Sequence, residues 1–397
     1  MMLGISLAAM LASSALAQKS PLLPAAGQRQ RQLIMVGPTR EVKTIASAAQ
    51  LARDGATIEV DAGDYVGDTA VWTQNDLTLR AVGGRVHLIA AGKSADGKGI
   101  WVTRGERMTV EGFDFSGAAV PDRNGAGIRM DSGSLRVRDC SFMHNEMGLL
   151  TNNEPDAVLE IENSEFAYNS RPDGHNHNLY VGTIARLSVT GSYFHHAAIG
   201  HLLKSRAAVS TIAYNRLTDE EGGRASYELE FPNGGVAYVI GNVIEQGPQT
   251  ENRHIISFGA EGYRWPANEL YLVNNTLIDG LFLGGVFARV SAGAQVVRIV
   301  DNLLVGNGSW TLPAGAQLHD NPRVPAADLE DPAAGDFRLR PGSYAWGRRV
   351  PAGSANGVPL DPTREYQHPR RSTALQMPPT EPGALQPMAR RPPSAGQ

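Results

Sequence analysis

Three short segments hold residue types that do acid–base chemistry: His177-Asn178-Leu179-Tyr180-Val181-Gly182, His201-Leu202-Leu203-Lys204-Ser205-Arg206 and Ala225-Ser226-Tyr227-Glu228-Leu229-Glu230. They supply an amine, a guanidinium, a phenol, imidazoles and a carboxylate pair. One reaction that needs this mixture is β-elimination in a uronic-acid polysaccharide. A cation neutralises the sugar carboxylate and so acidifies the C5 proton, and a base then removes it. Arg206 suits the first role because its planar fork matches a carboxylate. Lys204, two residues away, suits the second, with Tyr180 or His201 as the acid. Glu228 and Glu230 are candidates to hold Ca²⁺ against the substrate carboxylate, although the chemistry also runs without a cofactor.

Such residues need a rigid scaffold to face one another. Each segment alternates as a strand does, which predicts Leu179, Val181, Leu203, Ser205, Tyr227 and Leu229 inward. Tyr180, Lys204 and Glu228 then form one outward column, with Gly182, Arg206 and Glu230 in the next. Rungs stack about 4.8 Å apart, and Gly182 would leave a gap beside Arg206. His175, His177, His195, His196 and His201 cluster in the same stretch, and Glu251, Asn252, Arg253 and His254 follow one coil later. From this border, Asn178, His177, Glu228, Glu230, Arg253 and His254 are expected to bind substrate.

The stacking itself is read from a repeat. A small polar residue, any residue, then a large apolar one recurs after an alternating strand. It starts at Cys140, Ser164, Ser192, Asn215, Asn242, Asn275 and Asn302, at intervals of 24, 28, 23, 27, 33 and 27 residues. This period predicts an all-β fold, a single-stranded right-handed parallel β-helix over residues 37–310. The Asn or Ser sits at a bend, where Asn tolerates a left-handed backbone and stacks on its neighbours. Ile45, Ala48, Ala49 and Ala52 fall at helical spacing before Gly55, which predicts a short helix capping the first coil.

The flanks read differently. Residues 1–17 have an apolar run and an Ala-Leu-Ala end, the pattern of a secretory signal peptide, so export to the periplasm or medium is expected. Residues 18–36 read as a linker and residues 311–350 as a C-terminal closing segment. Residues 351–397 hold 10 of the 24 prolines and few large apolar residues, so they are expected to be disordered. With 36 basic and 40 acidic residues, the chain lacks the positive surface a nucleic-acid partner would need. No segment is long and apolar enough to span a bilayer. The single cysteine, Cys140, excludes an internal disulfide and reads as a small buried hydrophobe. A monomer is expected.

The helix followed by the strand Ala56–Tyr65 resembles the N-terminal cap of pectate-lyase-like β-helices, and the chain is similar to that superfamily over roughly residues 40–345. It also resembles exported bacterial β-helix proteins through Tyr180 in a His-Asn-x-Tyr segment, Lys204–Ala207 and Ser226–Glu228. Lys204-Ser205, with Arg206, resembles the Lys-Ser motif of the chondroitinase B and alginate lyase group. That resemblance implies Lys as the base, Arg as acid or clamp, and Ca²⁺ held by acidic residues before the Lys. Here the acid pair lies one coil after Lys204.

Two other readings stay open. Glu228 and Glu230, about 6.5–7 Å apart along a strand, could serve as the pair of an inverting glycoside hydrolase. Lys204 and Arg206 on the adjacent rung would hold both ionised, which disfavours a general acid. Alternatively the four charges form a structural ion-pair ladder, worth about 0.2–1 kcal/mol per pair, in a non-catalytic glycan-binding or envelope β-helix. In each case the expected partner is an acidic polysaccharide or oligosaccharide.

Overall fold

The computed structural model describes residues 31–171 and 176–387. The proposed signal peptide, most of the linker and His175 lie outside the described residues. The architecture is an all-β parallel solenoid of about ten turns. Each turn has three strands. A first face begins with Leu33–Val36 and runs through Ser134–Arg138, Val158–Glu162 and Arg186–Thr190 to Gln317–His319. A second face includes Ser141–Met143, Glu165–Ala167, Tyr193–His195 and Arg216–Thr218. A third face has ten strands, from Ala70–Trp72 to Ser309–Thr311. Every neighbouring pair on these faces is parallel, because each strand meets its equivalent one coil on.

The repeat positions form an internal ladder at the bend between the first two faces. Asn215 Nδ2 donates to Asn242 Oδ1 at 3.0 Å, Asn242 to Asn275 at 3.0 Å and Asn275 to Asn302 at 2.9 Å. Ser164 and Ser192 continue it, accepting backbone N–H groups. The left-handed residue of each bend is the one before the ladder residue: Asp139, Asn163, Tyr214, Asn274 and Asp301 all have positive φ, and Gly191 and Gly241 occupy the equivalent sites. The ladder asparagine instead satisfies buried backbone groups that would otherwise each cost about 1–3 kcal/mol. Two residues on, Phe142, Phe166 and Phe194 stack inward on Phe115 with ring centroids 4.9, 4.7 and 4.8 Å apart. Cys140 is fully buried beside this ladder, and burial raises its thiol pKa to about 12. A helix, Ile45–Leu51, buries Ile45, Ala48 and Ala49, with Thr44 as its N-cap.

Two boundaries differ from expectation. Leu33–Val36, assigned to a linker, pairs with Thr57–Val60 as a strand of the solenoid. Residues 351–387, expected to be disordered, are ordered, with hairpins Ser354–Ala355/Val358–Pro359 and Arg364–Gln367/Arg371–Ala374. Leu360 packs with Tyr238, Ile240, Tyr271 and Val273 on the outside of the first face. Tyr366, Ala384 and Leu385 pack with Val243, Ile278 and Leu303 outside the second. The tail has few apolar residues of its own, but the solenoid offers it an apolar outer wall. The strand Tyr271-Leu272-Val273 is apolar on both faces, the pattern of a strand covered on both sides.

Candidate functional site

The candidate residues meet on the third face, whose strands include Leu179–Val181, Leu203–Ser205 and Leu229–Phe231. Leu179, Leu203 and Leu229 are in register and fully buried inside. Alternation then turns Tyr180, Lys204 and Glu230 outward in one column. This corrects the expected columns by two residues, since Glu230 and not Glu228 faces Lys204. Lys204 Nζ lies 3.0 Å from Glu230 Oε2, and His201 Nδ1 lies 3.1 Å from the same oxygen. Burial works against the Glu230 carboxylate, but His201 and Lys204 outweigh it and hold its pKa below the ordinary value. Burial lowers the pKa of His201, only partly opposed by Glu230, which favours the neutral imidazole.

Arg206 lies just beyond its strand. Its Nε donates to the Tyr180 hydroxyl at 2.9 Å. Nη1 and Nη2 donate to the two carboxylate oxygens of Glu261 at 2.7 and 3.0 Å, and Nη1 also reaches Asn233 Oδ1. The same Glu261 carboxylate lies 3.2 Å from Lys204 Nζ. Glu261 therefore bridges both cations. Its hydrogen bonds from Arg206, aided by Lys204, outweigh partial burial and lower its pKa to about 2. It sits on a turn after the strand His254–Phe258, and its side chain is 45% exposed. Sequence reasoning missed Glu261 and Asn233 because turn residues carry no period. It also missed Arg129, which shares the Tyr180 column through Leu150 and interacts electrostatically with the Tyr180 phenol.

A row of rings flanks the column. His177 stacks on Tyr180 at 5.4 Å and lies 4.5 Å from His201; Tyr227 lies 5.0 Å from His201 and 6.2 Å from His254. His177 Nδ1 accepts the backbone N–H of His201 at 3.0 Å, which fixes the ring. Such a row gives a sugar ring flat, partly apolar surfaces to lie against.

Other expected residues fall elsewhere. Asn178 is fully buried and belongs to a second internal ladder, accepting from Asn169 Nδ2 at 2.9 Å and donating to the His195 carbonyl at 2.8 Å. Arg253 donates to the Gly284 carbonyl at 2.9 Å, at the edge of the ring row. His195 and His196 belong to the second face and its bend, where His195 Nε2 lies 3.2 Å from Glu165. Gly182 leaves no gap beside Arg206, since an added Cβ would come within 2.6 Å of the Asn152 carbonyl oxygen.

Glu228 is the largest correction. It lies before its strand and is fully buried, and neither carboxylate oxygen has a hydrogen-bond partner among the described residues. Burial first, then the nearby Asp219, raises its pKa well above the ordinary carboxylate value. It is thus apart from Glu230, which is already engaged by Lys204 and His201. The pair does not fit a calcium ion, nor does it flank a common cleft as two glycosidase carboxylates must. Among the described residues, no group of three or more His, Cys, Asp or Glu is placed to hold a metal.

Ten third-face strands, an internal asparagine ladder and a stacked aromatic interior define a parallel β-helix. The structure is similar to that of the pectate lyase Pel9A, with a TM-score of 0.62 and 12% identity, covering 91% of this chain and 97% of that one. A pectin methylesterase from Aspergillus niger superposes with a TM-score of only 0.33 and 12% identity, over 74% of this chain and 85% of that one. No family model matches the sequence, and no curated protein matches it. The likeness is therefore one of fold. Among the described residues, no helix is long and apolar enough to cross a membrane.

Proposed function

We propose that this protein is a carbohydrate-active β-helix that cleaves an acidic, uronic-acid glycan by β-elimination on its third face. The observation that carries the reading is the seat of Glu261: a carboxylate lies across the Arg206 fork and against Lys204, as a uronate carboxylate would. In this reading the sugar carboxylate displaces Glu261, and Arg206 and Lys204 together neutralise it. Lys204 is engaged as a cation by two carboxylates, so the base role passes to His201. Glu230 Oε2 lies 3.1 Å from its Nδ1, which favours a proton there and leaves the Nε2 lone pair to take the C5 proton. The C4–O4 bond then breaks as the C4–C5 double bond forms. The Tyr180 hydroxyl, hydrogen-bonded to Arg206, protonates the departing oxygen, and the proton gained by His201 restores it through solvent.

Three further points belong to this proposal. The helix Ile45–Leu51 caps the first coil, where strand edges would otherwise stay open. Residues 1–17 direct export, and the protein acts as a monomer in the periplasm or outside the cell. The test is absorbance of the unsaturated product near the ultraviolet edge, with pectate, alginate and glycosaminoglycans as substrates. Turnover that falls at least ~100-fold in Arg206→Ala and His201→Gln supports the reading, as one lost oxyanion or acid–base group costs about this much. Activity retained in both variants would overturn the assignment. Binding without any unsaturated product would make the chain a glycan-binding solenoid instead.

A further inference from the structure

A second cluster of cations lies far from this column in the sequence, at the C-terminal hairpin. The hairpin Arg364–Gln367/Arg371–Ala374 lies over the bend between the first and second faces. There an added Cβ on Gly191 would meet the backbone of Arg371 and Ser372 at 3.0–3.1 Å. Arg370 is its strut: Nη2 lies 3.3 Å from Asp139, Nη1 lies 3.7 Å from Glu165 and donates to the Cys140 carbonyl. Two clefts flank the hairpin. One, of about 810 Å³, is lined by Asn163, Gln367, His368, Arg371 and Ser372 among others. The other, of about 370 Å³, shares Asn163 and Ser372 and is lined by Arg364.

The smaller cleft is also lined by Arg136, Glu160 and Glu162 and the larger by Asp139 and Arg370, and each of these acids has an arginine partner. The acids Glu160 and Glu162 are paired with Arg136 and Arg138, and Asp139 is held by Arg85 and Arg370. Among the described residues, Arg364 donates only to the hydroxyl and carbonyl of Ser372. Among the described residues, neither Arg364 nor Arg371 has a carboxylate within ion-pair distance. The hairpin register places them three residues apart, about 10 Å along the strands, so their side chains leave opposite faces of the hairpin, with Arg364 lining the smaller cleft and Arg371 the larger. One guanidinium without a carboxylate partner in each cleft, with Asn163 and Ser372 shared by both and the Gln367 amide in the larger, suits a chain of carboxylated sugars that passes from one cleft to the other. Guanidinium takes the carboxylate bidentately, and amides and hydroxyls take sugar hydroxyls.

We infer that the clefts beside the C-terminal hairpin form a second, non-catalytic binding site for an acidic glycan chain, read by Arg364 and Arg371. The inference shares with the proposed function only the acidic nature of the polymer, not the elimination chemistry. The test is polymer binding by the full chain, using polygalacturonate and alginate in an Arg206→Ala background. Residual binding that falls about tenfold or more in Arg364→Ala/Arg371→Ala, the loss of roughly one charged contact, supports the site. The same double substitution in the otherwise wild-type chain should leave turnover of short oligomers at the third face unchanged. Residual binding equal with and without the double substitution would overturn the site. So would equally tight hairpin-dependent binding of inorganic polyphosphate, or no binding of either glycan in the Arg206→Ala background. Absent elimination with hairpin-dependent binding intact would sink the lyase reading and leave this one standing.

Discussion

Glu261→Gln is the sharpest probe of the third-face site. The carboxylate accepts two hydrogen bonds from Arg206, at 2.7 and 3.0 Å, and lies 3.2 Å from Lys204. A charged hydrogen bond contributes about 1.5–3 kcal/mol when well shielded. Glu261 is 45% exposed, so solvent screening brings each contact toward the ~0–1 kcal/mol of surface pairs. Displacing the side chain then costs a glycan about 1–2 kcal/mol in all. A glutamine keeps the shape but loses the charge, so the variant should bind oligogalacturonate about 5–30-fold more tightly. Isothermal titration of both proteins with the same oligomer measures this. The gain should persist as pH falls toward 4, because Arg206 and Lys204 hold the Glu261 pKa near 2. The lowered pKa also means that Glu261 supports folding fully above its unfolded value near 4.5 and loses that contribution as pH falls through about 2. If Glu261→Gln bound the oligomer no better than wild type, or worse, the idea that Glu261 occupies the sugar carboxylate's seat would be wrong.

Four other outcomes follow from the same structure. Burial, reinforced by neighbouring acids, raises Asp219 to about 6 and Glu245 to about 7, and raises Glu228 well above its ordinary value. Protons on these groups stabilise the fold fully below about pH 4 and are lost as pH rises through about 6 and 7. Thermal melts should therefore show stability falling between about pH 4 and 7, by on the order of 3 kcal/mol for each of Asp219 and Glu245. Glu228→Gln should raise the melting temperature at pH 8; a lower one would contradict the cost that burial imposes on its charged form. Asn242→Ala removes side-chain bonds to Asn215, Asn275 and the Ile212 carbonyl. It should cost about 3 kcal/mol or more in urea unfolding, whereas a loss under ~1 kcal/mol would mean the ladder is not holding the bend. Leu360→Asp places a charge in a fully buried position against the outer wall, and should lower stability by several kcal/mol. A disordered tail would tolerate that substitution without effect.

Much of this molecule was written in local pattern. The Ser and Asn positions, the phenylalanine two residues on and the alternating strands each report one coil, and coils repeat. That is enough to derive the solenoid and to put Tyr180 and Lys204 on one face. It is not enough to set the register of the next rung. Side-chain direction has a period of two, so sliding Leu229–Phe231 by two residues keeps every alternation intact. Only the backbone hydrogen bonds of the assembled coils decide that Lys204 meets Glu230 while Glu228 is buried. Glu261 was hidden for a related reason. It reaches Arg206 from a turn 55 residues away, and loop length there follows no repeat. The fate of the C-terminal residues was also tertiary: their composition lacks a core, and order comes from the apolar outer wall of the solenoid. Sequence determined the coil, because each coil's core is local. Tertiary structure decided which charges meet, because that depends on how one coil sits on the next.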